Sequence, residues 1–197
     1  MRVGWAIVVY GVLLAASIFW GYLRGDVNLF WPREGLLPAF FGLPLGLFFA
    51  TIVVLFTRWS INAFPLMHEL GRDFRSLLGP MRQRDILIVS ACSSIGEEAF
   101  FRGAMQPSLG LVISSLVFGL LHFGPIGRFS VWTFSAIAMG FALGAIYWLT
   151  GDLSGVIAAH FVVNYFNLQL IRTTSFGISD PMDKLRWPAP RRRQIIR

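Results

Sequence analysis

Long apolar runs separated by short polar stretches dominate the chain from its first residues, and alternating strand patterns are absent. Val3 to Leu23 carries no charge. A bilayer-spanning helix needs about 20 mostly apolar residues, so this run predicts a first span. Gly35 to Thr57 predicts a second, softened by Pro38 and Pro44, which neighbouring helices can accommodate. Ile86 to about Gln106 predicts a third, and it contains Glu97, Glu98 and Arg102. A shorter fourth runs from Leu109 to Phe123 and stops at Gly124-Pro125. Val131 to Leu149 predicts a fifth, with Gly140 and Gly144 spaced as a small-xxx-small packing face. Leu153 to Ile171 predicts a sixth, bearing His160 and Asn164.

Between the second and third spans, Trp59, Phe64, Leu66, Met67, Leu70, Phe74, Leu77 and Leu78 alternate with Arg and Asp. That pattern predicts an amphipathic helix lying in the membrane interface. The fold class expected is therefore all-α: a polytopic membrane protein of about six transmembrane helices with one interfacial segment. Three regions follow. Residues 1–84 hold two spans and the interfacial segment, 85–171 a helical core, and 172–197 a basic tail.

Composition agrees with this pattern. Of 197 residues, 55% are apolar or aromatic and 14% are charged, against about a quarter charged in soluble domains. The net charge of +7 is a topological signal. With six spans both termini share a side, and fourteen basic residues fall on that side against two, Arg24 and Arg33, on the other. Positive residues are retained in the cytoplasm, so both termini are expected there, in the inner membrane if the source is bacterial. No basic patch interleaved with aromatics points to nucleic acid. The first run lacks a small-residue cleavage site before Arg24 and reads as a retained anchor. The single cysteine, Cys92, excludes an intrachain disulfide and reads as a small packed residue. His68-Glu69 opens like a zinc-protease motif but lacks the second histidine that HExxH requires.

Ionisable groups inside a span cost at least about 2.5–3.5 kcal/mol each near its centre, so they mark function or a buried pair. Three sets stand out. Glu98 and Arg102 are four residues apart on one helix face and suit an ion pair, structural or supporting. Glu97, rotated about 100° away, has no such partner in its own helix. His122 ends the fourth span; His160 and Asn164 share a face of the sixth. Asn164 suits helix–helix bonding as well as chemistry. Measured from the cytoplasmic end at about 1.5 Å per residue, Glu97 lies roughly 16–17 Å deep, His122 roughly 5–10 Å and His160 with Asn164 roughly 12–20 Å. One shared cluster is geometrically feasible.

Glu97-Glu98-x-x-x-Arg102, Phe118-x-x-x-His122 and His160-x-x-x-Asn164 resemble, in order, the three motifs of the CAAX-protease and bacteriocin-processing (CPBP, or Abi) family, which includes the type II CAAX prenyl endopeptidases. The resemblance covers roughly Asp85 to Ile171. It implies an intramembrane endopeptidase of the glutamic type. Glu97 and His122 would activate a water, His160 and Asn164 would stabilise the oxyanion, and Glu98 with Arg102 would hold the site's shape. The implied substrate is a membrane-associated protein or peptide cleaved near its C-terminus, by CAAX-like or sorting-anchor processing. No cofactor is required by this scheme. A zinc-dependent version, with Glu97, His122 and His160 as ligands, stays open, since two His and a carboxylate form a legitimate catalytic zinc set. So do a non-enzymatic scaffold or bacteriocin-immunity protein and a small proton-coupled transporter, although no inverted repeat is visible.

Overall fold

The computed structural model describes residues 3–26, 28–33, 35–123 and 129–176. Their order is α1 (Val3–Leu23), α2 (Leu36–Ala63), α3 (Pro65–Leu78), α4 (Gln83–Glu98), a π-helical segment (Ala99–Met105), α5 (Gln106–Leu121), α6 (Phe129–Thr150) and α7 (Leu153–Thr173), and no strand occurs among the described residues. Five apolar stretches are long enough to cross a membrane: α1, α2, Gln83–Leu121, Ser130–Thr150 and α7.

The third of these, at 39 residues, would reach about 58 Å if straight, nearly twice a bilayer's hydrocarbon thickness. It doubles back at Gly110, whose backbone (φ 83°, ψ 167°) lies in a region essentially reserved for glycine. The reversal divides this stretch into two arms, giving the six apolar helical segments counted from the sequence, five stretches being long enough to cross a membrane. The fourth is short: the eleven residues after Gly110 span about 16 Å. α2 differs from its expected limit, continuing to Ala63 rather than ending at Thr57. It passes Pro44 without ending. The Gly124-Pro125 stop and the basic tail beyond Phe176 lie outside the described residues.

Small residues set the helix contacts. Without water to drive association, packing in a bilayer depends on close backbone approach. Gly46 of α2 lies against the Gly155 carbonyl of α7, and Gly155 lies against the Gly42 carbonyl, so neither position has room for a Cβ. Asp152 caps α7 by accepting from the Ser154 and Gly155 amides, each at 3.2 Å. On α6, Gly140 faces the Ser115 carbonyl of α5, and Gly144 faces Leu111 and Gln106. The small-xxx-small face therefore packs on the returning helix.

α3 is amphipathic as the sequence predicts. Pro65 occupies its first turn, and Leu70, Gly71 and Arg75 are its buried residues. These residues dock on the chain just after α7. Gly71 abuts the buried Phe176 ring, Arg75 donates to the Thr174 carbonyl at 2.6 Å, and His68 meets Phe176 edge-on. Arg24 and Arg33, counted from sequence only as loop charges, are structural ties. Arg24 donates to the Ala104 carbonyl at 2.6 Å and the Gly103 carbonyl at 3.1 Å. Pro107 has no N–H to offer the Gly103 carbonyl, and Arg24 supplies one. Arg33 pairs with Asp26 and reaches the Tyr147 hydroxyl at 2.7 Å.

Candidate active site

Each polar residue singled out within the spans has a defined place. Glu97 and Glu98 close α4 at its junction with the π segment, a widened turn of a kind often found at functional sites. Glu98 is completely buried. Its Oε1 accepts from Arg102 Nη1 at 2.8 Å and from His160 Nδ1 at 2.6 Å. The i, i+4 ion pair is thus present, and it is also the anchor of a histidine 62 residues away. Arg102 is 1% exposed. It donates further to the Gly140 carbonyl at 3.1 Å and lies 4.5 Å over the Phe118 ring. One turn on, Gln106 donates to the Gly144 carbonyl at 2.8 Å, so two side chains of one helix grip two glycine carbonyls of α6. A guanidinium so placed is paired, hydrogen-bonded and stacked, as a buried charge must be.

Glu97 faces a different way. Its Oε2 lies 3.8 Å from His122 Nε2 and 3.9 Å from His160 Nε2. That oxygen is buried and has no hydrogen-bond partner among the described residues. Glu97 and His122 are 25 residues apart, about 37 Å along a straight helix; the reversal at Gly110 brings them together. The two imidazoles are oriented alike. His122 Nδ1 donates to the Phe118 carbonyl at 2.6 Å, and His160 Nδ1 donates to Glu98. In each neutral ring, Nε2 is then the bare acceptor. Trp132 of α6 packs edge-on against His122, and Thr133 donates to the His122 carbonyl at 3.1 Å. The two histidines differ in access: the His122 side chain is 22% exposed and that of His160 6%.

Asn164, one turn along α7 from His160, bonds Ser93 at 3.0 Å. It sits beside the Glu97 cluster rather than within it. Sequence reasoning passed over Ser93, whose only signal is its position one turn before Glu97. It also passed over Tyr10 of α1, whose backbone lies against Gly96, the residue beside Glu97. The signal there is a hydroxyl in an otherwise apolar span.

The donor types suit zinc, and the two Glu97–histidine separations are about half an ångström wider than the roughly 3.4 Å between ligand atoms on a zinc tetrahedron. Among the described residues no three His, Cys, Asp or Glu side chains are arranged to hold a metal.

One comparison with known proteins falls on the same segment. Residues 84–166 match the family model described as Type II CAAX prenyl endopeptidase Rce1-like. The chain is 25% identical over 159 residues to "Uncharacterized protein YpbD" of Bacillus subtilis (strain 168), covering 80% of this chain and 81% of that one. No solved structure matches. Glu97, Glu98, Arg102, His122, His160 and Asn164 all fall inside the matched residues, so the segment of this chain that carries the site is similar to the Rce1-like type II CAAX prenyl endopeptidases.

Proposed function

We propose that the protein hydrolyses a peptide bond near the C-terminus of a membrane-associated protein or peptide, by a glutamic-type, metal-independent mechanism. The observation that carries this reading is the placement of Glu97 Oε2, buried and unbonded, between two imidazole Nε2 atoms at 3.8 and 3.9 Å. These distances exceed direct hydrogen bonds. A water donating to Glu97 Oε2 and to the bare His122 Nε2 would bridge the 3.8 Å between them. Amide hydrolysis needs such a water, a proton acceptor for it and donors for the developing oxyanion.

In this scheme Glu97 and the bare His122 Nε2 take a proton from the water as its oxygen attacks the carbonyl carbon. The tetrahedral oxyanion is met by a protonated His160, whose counter-ion is Glu98. Asn164 lies along the same helix face to contact the substrate backbone. The proton held by Glu97 and His122 passes to the departing amine as the C–N bond breaks. The basic-residue asymmetry supports a cytoplasmic location for both termini. His122, the more exposed of the two histidines, then faces the site's opening toward that side.

The test is mass spectrometry of membrane peptides from cells carrying the native chain or Glu97→Gln. The native chain yields C-terminally truncated membrane peptides that the variant does not. Equal peptide sets in the two strains, with both proteins inserted, would end the protease reading. Cleavage that survives exhaustive chelation supports the metal-free mechanism, and strict dependence on added zinc replaces it.

A further inference from the structure

α3 lies outside the residues matched to the family model and reads from sequence as an interfacial helix. Its buried Gly71 and Arg75 dock on the chain after α7. Phe74, half-buried, meets Trp132 of α6 edge-on instead, with ring centroids 4.9 Å apart at 88°. Trp132 in turn meets the His122 ring edge-on, at 5.3 Å and 80°. Edge-on pairs at such separations are an arrangement that ring quadrupoles favour. Two ring contacts therefore join the interfacial helix to a member of the candidate site.

His122 needs such support more than His160 does. His160 lies within α7, and its Nδ1 is held by the Glu98 carboxylate. His122 caps the C-terminus of α5 with φ −89° and ψ 21°, outside helical geometry, so the helix does not fix its side chain. Its Nδ1 bonds a neutral group, the Phe118 carbonyl, at 2.6 Å. Hydrogen bonds to an ionised partner are roughly twice as strong as neutral ones. The bond to Phe118 sets the tautomer but leaves the ring free to rock about the nitrogen–oxygen line. Packing must limit that motion. The Phe118 ring, tilted 40° with its centroid 4.5 Å away, and the Trp132 ring both pack on the imidazole. Thr133, next to Trp132, donates to the His122 carbonyl at 3.1 Å. Neighbouring residues of α6 thus hold the ring and the backbone of His122.

We propose that Trp132 is a positioning residue for His122, backed by Phe74 of α3, and that this stack of rings keeps His122 Nε2 turned toward Glu97. The interfacial helix is then a working part of the catalytic unit. This inference rests on the reading of Glu97 and His122 given above. It concerns the orientation of a base, so its signature is a fall in kcat. A substrate contact would raise KM instead, and a merely structural role would lower stability in step with activity.

The experiment uses the full chain in lipid vesicles with a peptide that the native chain cleaves. Trp132→Leu is expected to lower kcat about tenfold to a hundredfold, the scale of a misplacement of about 1 Å. KM and the thermal midpoint are expected to stay at native values. Trp132→Phe keeps an aromatic ring at the position and is expected to recover most of the loss. Phe74→Leu is expected to lower kcat less. Combined with Trp132→Leu it is expected to add nothing, because the two act through one contact route. Native kcat in Trp132→Leu, a Trp132→Phe equally slow, a raised KM in place of the fall in kcat, or a loss that tracks the thermal midpoint overturns the proposal. Multiplied losses in the double variant overturn the part given to Phe74. A second measurement is independent of turnover. With isotope-labelled histidine, the His122 ring resonance is expected to move in Phe74→Leu, although Trp132 is still present. It is expected to stay in place in Trp148→Leu, a change at an exposed residue of the same α6. An unmoved resonance in Phe74→Leu also overturns the role of Phe74. Full cleavage by Glu97→Gln sinks the protease reading instead, and the resonance then still decides whether α3 holds His122.

Discussion

Glu98 Oε1 stands 2.6 Å from His160 Nδ1, joining α4 to α7 through the same oxygen that accepts from Arg102. One carboxylate therefore neutralises a guanidinium and sets the direction of an imidazole. Removing it leaves Arg102 buried without its counter-ion, and breaking a buried pair costs about 3–5 kcal/mol. Glu98→Ala is expected to lose that much stability in a detergent unfolding experiment. Glu98→Leu combined with Arg102→Met is expected to recover most of the stability and none of the cleavage. A double variant as unstable as the single one would contradict the pairing.

Arg102 is not replaceable by lysine. Its two terminal nitrogens serve different acceptors, Glu98 Oε1 and the Gly140 carbonyl, while its plane lies on Phe118. A lysine offers one point of charge and no plane. Arg102→Lys is expected to lose about 1.5–3 kcal/mol, the range for one hydrogen bond to a charged group. Thermal unfolding beside the native chain measures it.

The reversal at Gly110 controls whether His122 reaches Glu97 at all. Its φ of 83° with ψ of 167° strains any residue bearing a Cβ, at about 1–3 kcal/mol. Space is not the obstacle, since nothing lies within 4 Å of a Cβ built there. Gly110→Ala is expected to reduce cleavage more than Gly4→Ala, an open position in α1 with ordinary backbone. Parallel activity assays on the two variants decide it.

Close packing of α2 on α7 predicts a steric result with no catalytic content. Gly155→Val drives a side chain into the Gly42 carbonyl, and overpacking of this sort costs about 1–3 kcal/mol or more. Gly11→Val, with nothing within 4 Å, is expected to leave the thermal midpoint near native. Comparable midpoints for both would show that the α2–α7 contact is looser than described.

Orientation is testable by labelling. In a Cys92→Ser background, Ser76→Cys on α3 is expected to react from the cytoplasmic face, and Asn28→Cys, between α1 and α2, from the opposite face. Both native side chains are exposed. Reaction of the two from one face would contradict the assigned topology.

Much of this protein follows from local pattern. The spans are legible because a bilayer admits only long apolar helices with internally satisfied backbones. The polar exceptions are legible because burying Glu97, Glu98, Arg102 and His160 is costly enough to stand out. The Glu98–Arg102 pair follows from helical periodicity alone. Periodicity has no hold on groups from different helices. That Glu98 orients His160, that Glu97 Oε2 faces both Nε2 atoms, and that Asn164 bonds Ser93 all depend on helix rotation and depth. These are set by contacts such as Gly96 on Tyr10 and Gly155 on Gly42. The sequence by itself thus determined which residues enter the membrane with charge. Only the tertiary structure decided which of them meet, because the reversal at Gly110 and the glycine contacts between helices fix distances that no spacing along the chain encodes.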